Sequence, residues 1–205
     1  IYFGEQALSL AEDIHFSRGE ANALTHIGQA MREKGDLPKA LELQIRARNI
    51  AKENNYTTEY ATSLRRIGLV YMDLRDFPKT LSYLHQALYQ AERIQSKRGM
   101  AIEYMNLGMT HEYMKNVDSA LLYAQKAFEG KEYIEDLYPE VLRVMGNIQT
   151  QKNNQPLALS YYQQGIEAGL KLNDYRTISY IYSDGAAMLK YFNQPDSSIA
   201  YAKKG

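Results

Sequence analysis

GDLPKALELQIRA, residues 35–47, joins a turn to the opening of a helix and carries two small residues seven apart, Ala40 and Ala47. Gly35-Asp36-Leu37 reads as the turn. Pro38 suits a first helical position, where its missing N–H has no intrahelical partner. Working outward, the pair returns down the chain as Thr80 and Ala87, Ala120 and Ala127, Ala158 and Gly165, Ser198 and Gly205, with Ala7 ahead of them all. Upstream of each pair stands a third small residue: Gly28, Gly68, Gly108, Gly146 and Ala186. This last series steps by forty, forty, thirty-eight and forty positions, and the other two series keep the same step. Three registers with one step define a repeat, which takes precedence over any local reading.

Each unit reads as two helices. The first carries apolar residues at helical spacing about its glycine, as in Leu24, Ile27, Met31 and Leu64, Ile67, Tyr71. Tyr104, Leu107, His111 and Leu142, Met145, Gln149 continue that stripe, so His111 stands at a packing position. Short turns follow at 35–37, 75–77, 115–117, 153–155 and 193–194, and Pro78, Pro156 and Pro195 open second helices as Pro38 does. Pro139 opens a first helix. A glycine in mid-helix costs roughly 1 kcal/mol relative to alanine, so its recurrence predicts a close approach by a facing helix. The expected pairs are Gly28 with Ala40, Gly68 with Thr80 and Gly108 with Ala120, while Ala47, Ala87 and Ala127 let each second helix nestle against the next unit. Tyr83, Leu84, Tyr123, Tyr161 and Tyr162 fill the remaining gaps, with tyrosine hydroxyls reaching the rim.

A glycine, a small residue twelve later and another seven beyond, inside a helix–turn–helix, resembles the tetratricopeptide repeat. GDLPKALELQIRA (35–47) and NVDSALLYAQKAF (116–128) carry the likeness most closely. It implies an all-α fold: a right-handed α-solenoid of antiparallel hairpins with about 11 helices, forming one domain over 1–205. The expected units are a half repeat at 1–18, repeats at 19–56, 57–96, 97–136 and 137–174, and a truncated one at 175–205. The chain is thereby expected to be a fragment of a larger protein. It departs from the family in having no tryptophan, no proline closing the second helix, and a period near 40 where the family has 34. The extra length is expected in the second helix and its turn, as in ARNIAKENNYTTEYA (47–61). This longer variety is similar to repeats of bacterial peptide-sensing regulators and of sensor regions in bacterial signalling proteins.

Composition narrows the function. Lys and Arg number 24 against 24 Asp and Glu, so no global positive field exists to hold nucleic acid or an anionic membrane. No apolar run reaches the roughly 18–20 residues that cross a bilayer. There is no cysteine, hence no disulfide, thiolate metal site or cysteine nucleophile. Hydrophobic residues at 45% are ample for a folded chain. HEYMK (111–115) begins like a zinc-protease helix, but Lys115 stands where the second histidine is needed. No phosphate loop or catalytic constellation emerges, and neither a metal nor a cofactor is expected. Asn55-Tyr56-Thr57 fits the glycosylation pattern and reads as a polar turn.

The resemblance implies that first helices line a concave groove receiving an extended peptide or a partner helix. Helical spacing from each small residue then predicts the groove side chains. Thr25, Gln29 and Arg32 come from the first hairpin, and Arg65, Arg66, Leu69 and Met72 from the second. Ile102, Met105, Asn106, Met109 and Glu112 follow, then Glu140, Arg143, Asn147 and Gln151, then Ser183, Asp184 and Ala187, with Asn22 and Thr62 at the start of the first two sets. Leu69, Met72, Met105 and Met109 would form an adaptable apolar floor. Asn106 could bond a peptide backbone, and Arg65, Arg66 and Arg143 could pair with carboxylates. The lysine and asparagine pattern of chaperone-tail binders is absent, since Leu69, Glu140 and Val144 occupy its places.

The expected function is therefore a non-enzymatic peptide- or protein-binding domain, the sensing or docking segment of a larger bacterial signalling or transcriptional regulator. The alternative is a constitutive assembly scaffold or homodimerisation module, so a homo-oligomer stands among the expected partners. Composition assigns no compartment. VDSALLYAQKAF (117–128) and PDSSIAYAKKG (195–205) resemble repeats of membrane-tethered regulators, which favours a periplasmic segment over a cytoplasmic one.

Overall fold

The computed structural model describes all 205 residues. Eleven α-helices follow one another: α1 (Tyr2–Asp13), α2 (Ser17–Glu33), α3 (Leu37–Glu53), α4 (Thr57–Asp73), α5 (Phe77–Arg93), α6 (Lys97–Tyr113), α7 (Val117–Glu129), α8 (Tyr138–Gln151), α9 (Gln155–Leu172), α10 (Tyr175–Tyr191) and α11 (Pro195–Ala202). There is no strand. No helix is long and apolar enough to cross a membrane. The chain divides into two compact units, Ile1–Glu103 and Tyr104–Gly205. The fold is the all-α hairpin solenoid that the repeat implies.

The full step down the chain is two equal half-steps. Helices α2 to α6 all have the same length, seventeen residues, and are joined by links of three. The extra length is therefore not confined to the second helix as the sequence suggested. Each short link is closed in the same way. A residue with positive φ follows the helix at His15, Gly35, Asn55, Arg75, Gln95 and Lys115, and again at Asn153, Asn173 and Asn193. This left-handed residue lets the next N–H turn back onto the last helical turn. At the end of α2, Gly35 N donates to Arg32 O (3.0 Å) and Asp36 N to Met31 O (3.0 Å). Asp36 then caps α3, its Oδ1 accepting from Lys39 N at 3.1 Å. One residue thus closes a helix with its backbone and opens the next with its side chain. Asp76, Asn154 and Asp174 do the same. Pro38, Pro78 and Pro156 are the second residues of their helices, where no intrahelical N–H bond is lost.

The one shortened step has a local cause. Helix α7 stops at Glu129, four residues short of the length its predecessors reach. Two 3-10 turns, Lys131–Tyr133 and Glu135–Leu137, then replace the usual link before Pro139 enters α8. Fully buried Ile134 pins this irregular stretch.

The glycines work as expected, but their nearest partners differ from those expected, with the Gly68–Thr80 approach kept through the Thr80 backbone oxygen at 3.4 Å. Gly28 faces Gln44, Gly68 faces Leu84, Gly108 faces Ala124 and Gly146 faces Tyr162, one helical turn beyond the predicted pairs. In the last hairpin Gly185, one residue before the expected Ala186, lies against Tyr201. A helical turn carries the facing side chain about 5.4 Å further along its axis, and the helices meet at that level. At Gly108 the neighbour is backbone, which cannot swing aside: a Cβ there would sit 3.0 Å from the backbone nitrogen of Ala124. Around these contacts the first unit buries Leu24, Ile27, Leu43 and Ala47, with Leu8, Met31 and Ile50 packed beside them. The second buries Ala158, Tyr162, Ile181, Met188 and Leu189. Each large apolar side chain so buried contributes roughly 1.5–3 kcal/mol. Tyr71 stacks on Tyr83 (5.6 Å), and one period later His111 stacks on Tyr123 (5.5 Å), which gives the histidine its packing role.

Candidate functional site

Within each unit the first helices lie side by side, and their facing side chains meet across one repeat. In the first unit Arg32 of α2 grips Asp73 of α4 through two bonds, Nε to Oδ2 at 2.6 Å and Nη2 to Oδ1 at 3.0 Å. Arg18 reaches Glu59 at 2.7 Å. Arg65 of α4 donates to Glu103 of α6 at 3.1 Å, and that carboxylate is only 2% exposed. Gln29 Oε1 accepts from Arg66 Nη1 at 2.6 Å, while its amide nitrogen donates to Glu33 at 2.7 Å.

Arg66 differs from its neighbours. It makes no ion pair, its hydrogen bond goes to a neutral amide, and its buried Nε has no partner. Burial lowers its pKa to about 10; the like charges of Arg65 and Arg32 add to the fall, and the carboxylates of Glu33 and Glu103 oppose it. Of the other expected residues, Thr25 is buried: its hydroxyl donates to Ala21 O (2.9 Å), and its own carbonyl accepts from Gln44 (2.9 Å). Leu69 and Met72 belong to this unit and are 8% and 7% exposed.

The second unit gathers its charges around one arginine. Arg143 of α8 donates to Glu140 through Nε (3.1 Å) and Nη2 (2.7 Å), and to Asp184 of α10 through Nη1 (2.6 Å). Its Nη2 also approaches the sulfur of Met109 at 3.8 Å, and its guanidinium lies 5.8 Å from the Tyr180 ring centre. Burial works against this cation, but Glu140 and Asp184 outweigh it and hold the guanidinium protonated. Asn147 donates to Asp184 (3.1 Å) and accepts from the Tyr162 hydroxyl (2.7 Å). Met105, Met109 and Asn106 are buried, and the Asn106 carbonyl accepts from the Thr110 hydroxyl at 2.7 Å.

Glu112 completes this cluster. Gln151 donates to its Oε1 at 2.8 Å and to its backbone oxygen at 3.1 Å, but Oε2 is buried without a partner. Burial is the main cause that lifts its pKa from 4.5 to about 7; Arg143 opposes the shift, Asp184 reinforces it, and the Asn147 and Gln151 amides oppose it. A shallow recess of about 340 Å³ lies elsewhere, lined by Glu135, Tyr138, Gln164 and Lys171 among others.

The structure thus brings Gln29 to Arg66 and sets Arg143 beside Met109, with Asn147 bound to the same carboxylate as Arg143. It binds Arg32, Arg65 and Arg143 to carboxylates that reasoning from sequence did not assign to them. A signal for these was present. Arg18 and Glu59, Arg32 and Asp73, and Arg143 and Asp184 share one sequence separation, forty-one positions. Opposite charges one repeat plus one position apart mark neighbouring first helices.

Residues 59–132 match the family model for the tetratricopeptide repeat. No curated protein matches the sequence of the chain. Among solved structures the chain is similar to BtubC (BKLC) from P. vanneervenii, at 18% identity and a TM-score of 0.67, over 83% of this chain and 72% of that one. It is similar to aspartyl phosphate phosphatase F from Bacillus subtilis, at 15% identity and a TM-score of 0.77, over 99% of this chain and 63% of that one. It is also similar to the Rap conjugation gene regulator of the plasmid pLS20 in complex with the Phr* peptide, at 18% identity and a TM-score of 0.76, over 99% of this chain and 62% of that one. The chain therefore spans less than two thirds of the length of the latter two proteins, and at these identities the likeness is one of fold. The segment that matches the tetratricopeptide-repeat model is flanked on both sides by hairpins of the same glycine-centred build, so the same repeat architecture runs on beyond the match.

Proposed function

We propose that the chain is a non-enzymatic recognition segment of a larger bacterial signalling or transcriptional regulator, and that it takes a peptide or a protein segment on the face of its first helices. The observation that carries the reading is Arg66. Arg32, Arg65 and Arg143 each have a carboxylate partner within the chain, whereas Arg66 lies on the same face with a neutral partner only. A partly desolvated guanidinium that makes no direct ion pair, with Glu33 and Glu103 acting on it only at a distance, favours an incoming carboxylate, which it can hold with two parallel bonds. The outer edges of Leu69 and Met72, in the same unit, would offer apolar contact to ligand side chains. The likeness to a regulator solved with a bound peptide supports the same reading.

A random heptapeptide library displayed on phage and panned against the immobilised chain tests it. Selected peptides should carry an acidic side chain or depend on a free carboxyl terminus. Their affinity should fall at least tenfold in Arg66→Ala and stay within threefold in Arg32→Ala, with melting temperature little changed in either. A library that yields no binder, or binders indifferent to Arg66, contradicts the reading.

A second reading, a self-associating module, is favoured by one feature. Helix α1 and the turn after it expose Phe3 (81%), Tyr2 (65%), Ile14 (62%) and Leu10 (60%). Grouped apolar exposure of this kind marks an interaction surface. Sedimentation that reports a monomer at high concentration removes this reading.

A further inference from the structure

The second unit holds two buried oxygens that accept nothing, on side chains already bonded to one another. Gln151 gives its amide nitrogen to Glu112 Oε1 and to the Glu112 backbone oxygen. That leaves Gln151 Oε1 and Glu112 Oε2 buried with no hydrogen bond of ordinary length, the nearby Asn147 amide easing the Glu112 charge while its nitrogen is bonded to Asp184. The amide cannot turn to improve matters, because its oxygen would then face a carboxylate. Glu112 is itself 7% exposed. Buried polar atoms in a folded protein are nearly always paired, so two adjacent orphan acceptors call for a group that only donates.

The charges agree. Arg143 is the one cation of the cluster and is held by Glu140 and Asp184. The charged and titratable groups that act on Glu112 are Arg143 from α8, Asp184 from α10 and Tyr162 from α9, while Glu140 and Tyr113 act on Arg143 beside it. Three carboxylates against one guanidinium leave an excess of negative charge. The neighbouring groups reach the surface: the Asp184 and Glu140 side chains are 30% and 18% exposed and Tyr180, one turn from Asp184, is 52% exposed. An ammonium or guanidinium on an extended stem has only donors to offer, reaches past a rim of this kind and packs well on an aromatic face.

We propose that Glu112 and Gln151 form a subsite for the basic side chain of a bound peptide, with Asp184, Glu140 and Tyr180 at its entrance. This deepens the peptide-binding reading and rests on it for the ligand, but it lies wholly within the second unit and does not involve Arg66.

The test uses NMR of the full chain with capped single residues, so that the side chain is the only cation. Nα-acetyl-argininamide and Nα-acetyl-lysinamide are the probes, and Nα-acetyl-citrullinamide is the uncharged control of nearly equal shape. The charged probes should move the signals of Glu112, Gln151 and Asn147 saturably, at least tenfold more tightly than citrulline. Binding requires the Glu112 carboxylate, so affinity should weaken about tenfold from pH 8 to pH 6, as expected for a group titrating near pH 7. Glu112→Gln removes the charge but keeps the shape, and should lose at least fivefold while melting no lower than the wild type. Citrulline binding as well as arginine, or Glu112→Gln binding arginine unchanged, overturns the proposal. Phage-selected peptides that need Arg66 but contain no lysine or arginine would likewise overturn it while leaving the peptide-binding reading intact; probe binding with no selected peptide at all would do the reverse.

Discussion

The two units solve the same packing problem with opposite electrostatic remainders. In the first, Arg18, Arg32 and Arg65 find carboxylates across the repeat, and a cation is left over at Arg66. In the second, a single arginine serves two carboxylates, and an anion is left over at Glu112. The hairpins are built alike, with the same glycine, the same turn and the same small residues. The difference lies in side chains that the solenoid does not need for its stacking. Those side chains are where a repeat scaffold can acquire specificity.

The largest effect should separate a buried arginine from an exposed one. Arg143→Ala leaves Glu140, Asp184 and Glu112 without a cation in a site whose arginine is about 8% exposed, so it should cost about 3–5 kcal/mol by urea denaturation. Arg32→Ala removes a pair whose side chains are 20% and 32% exposed and should cost no more than about 1 kcal/mol. Equal losses would mean that the two arginines are not different in kind.

Next comes Glu112→Gln. A carboxylate whose folded pKa is raised binds its proton more tightly when folded, so stability falls as pH rises from the ordinary value of 4.5 through about 7. The wild type should therefore lose up to about 3 kcal/mol across that window from this group. The glutamine variant should not, and above pH 7 it should be the more stable protein. Parallel pH curves for the two proteins would show that the carboxylate carries no penalty.

The helix-closing residues give a smaller contrast. Gly35 adopts φ +84° without penalty, whereas Lys115 and Arg75 hold φ near +60° with a full side chain. Lys115→Gly and Arg75→Gly should each stabilise by about 1 kcal/mol, and Gly35→Ala should destabilise by about 1–2 kcal/mol. Thermal melts decide the sign.

The fold was legible because close approach of two backbones can be met only by small side chains, and the solenoid demands it at a fixed interval. The turns were legible for a related reason: Asp36 and Asp76 before Pro38 and Pro78 are a helix cap written in sequence. Spacing alone could not say at which helical turn the facing helices meet, so Gly28 was matched to Ala40 and not to Gln44. Arg32 and Asp73 stand at the forty-one-position spacing that marks neighbouring first helices, but Arg65 and Glu103, thirty-eight positions apart, do not, so spacing could not foresee that pair. Helical phase set Glu112 beside Gln151, and the structure joins the two. Its stranded charge depends on where Gln151 and Arg143 direct their donors, and no one-dimensional pattern records that.

The most direct test is the carboxyl titration of Glu112 followed by carbon-13 NMR, with the signal assigned by its loss in Glu112→Gln. The account predicts a midpoint near pH 7 that falls when Nα-acetyl-argininamide is added. A midpoint near 4.5, unmoved by the probe, would show that the second unit has no unanswered negative charge to offer a ligand.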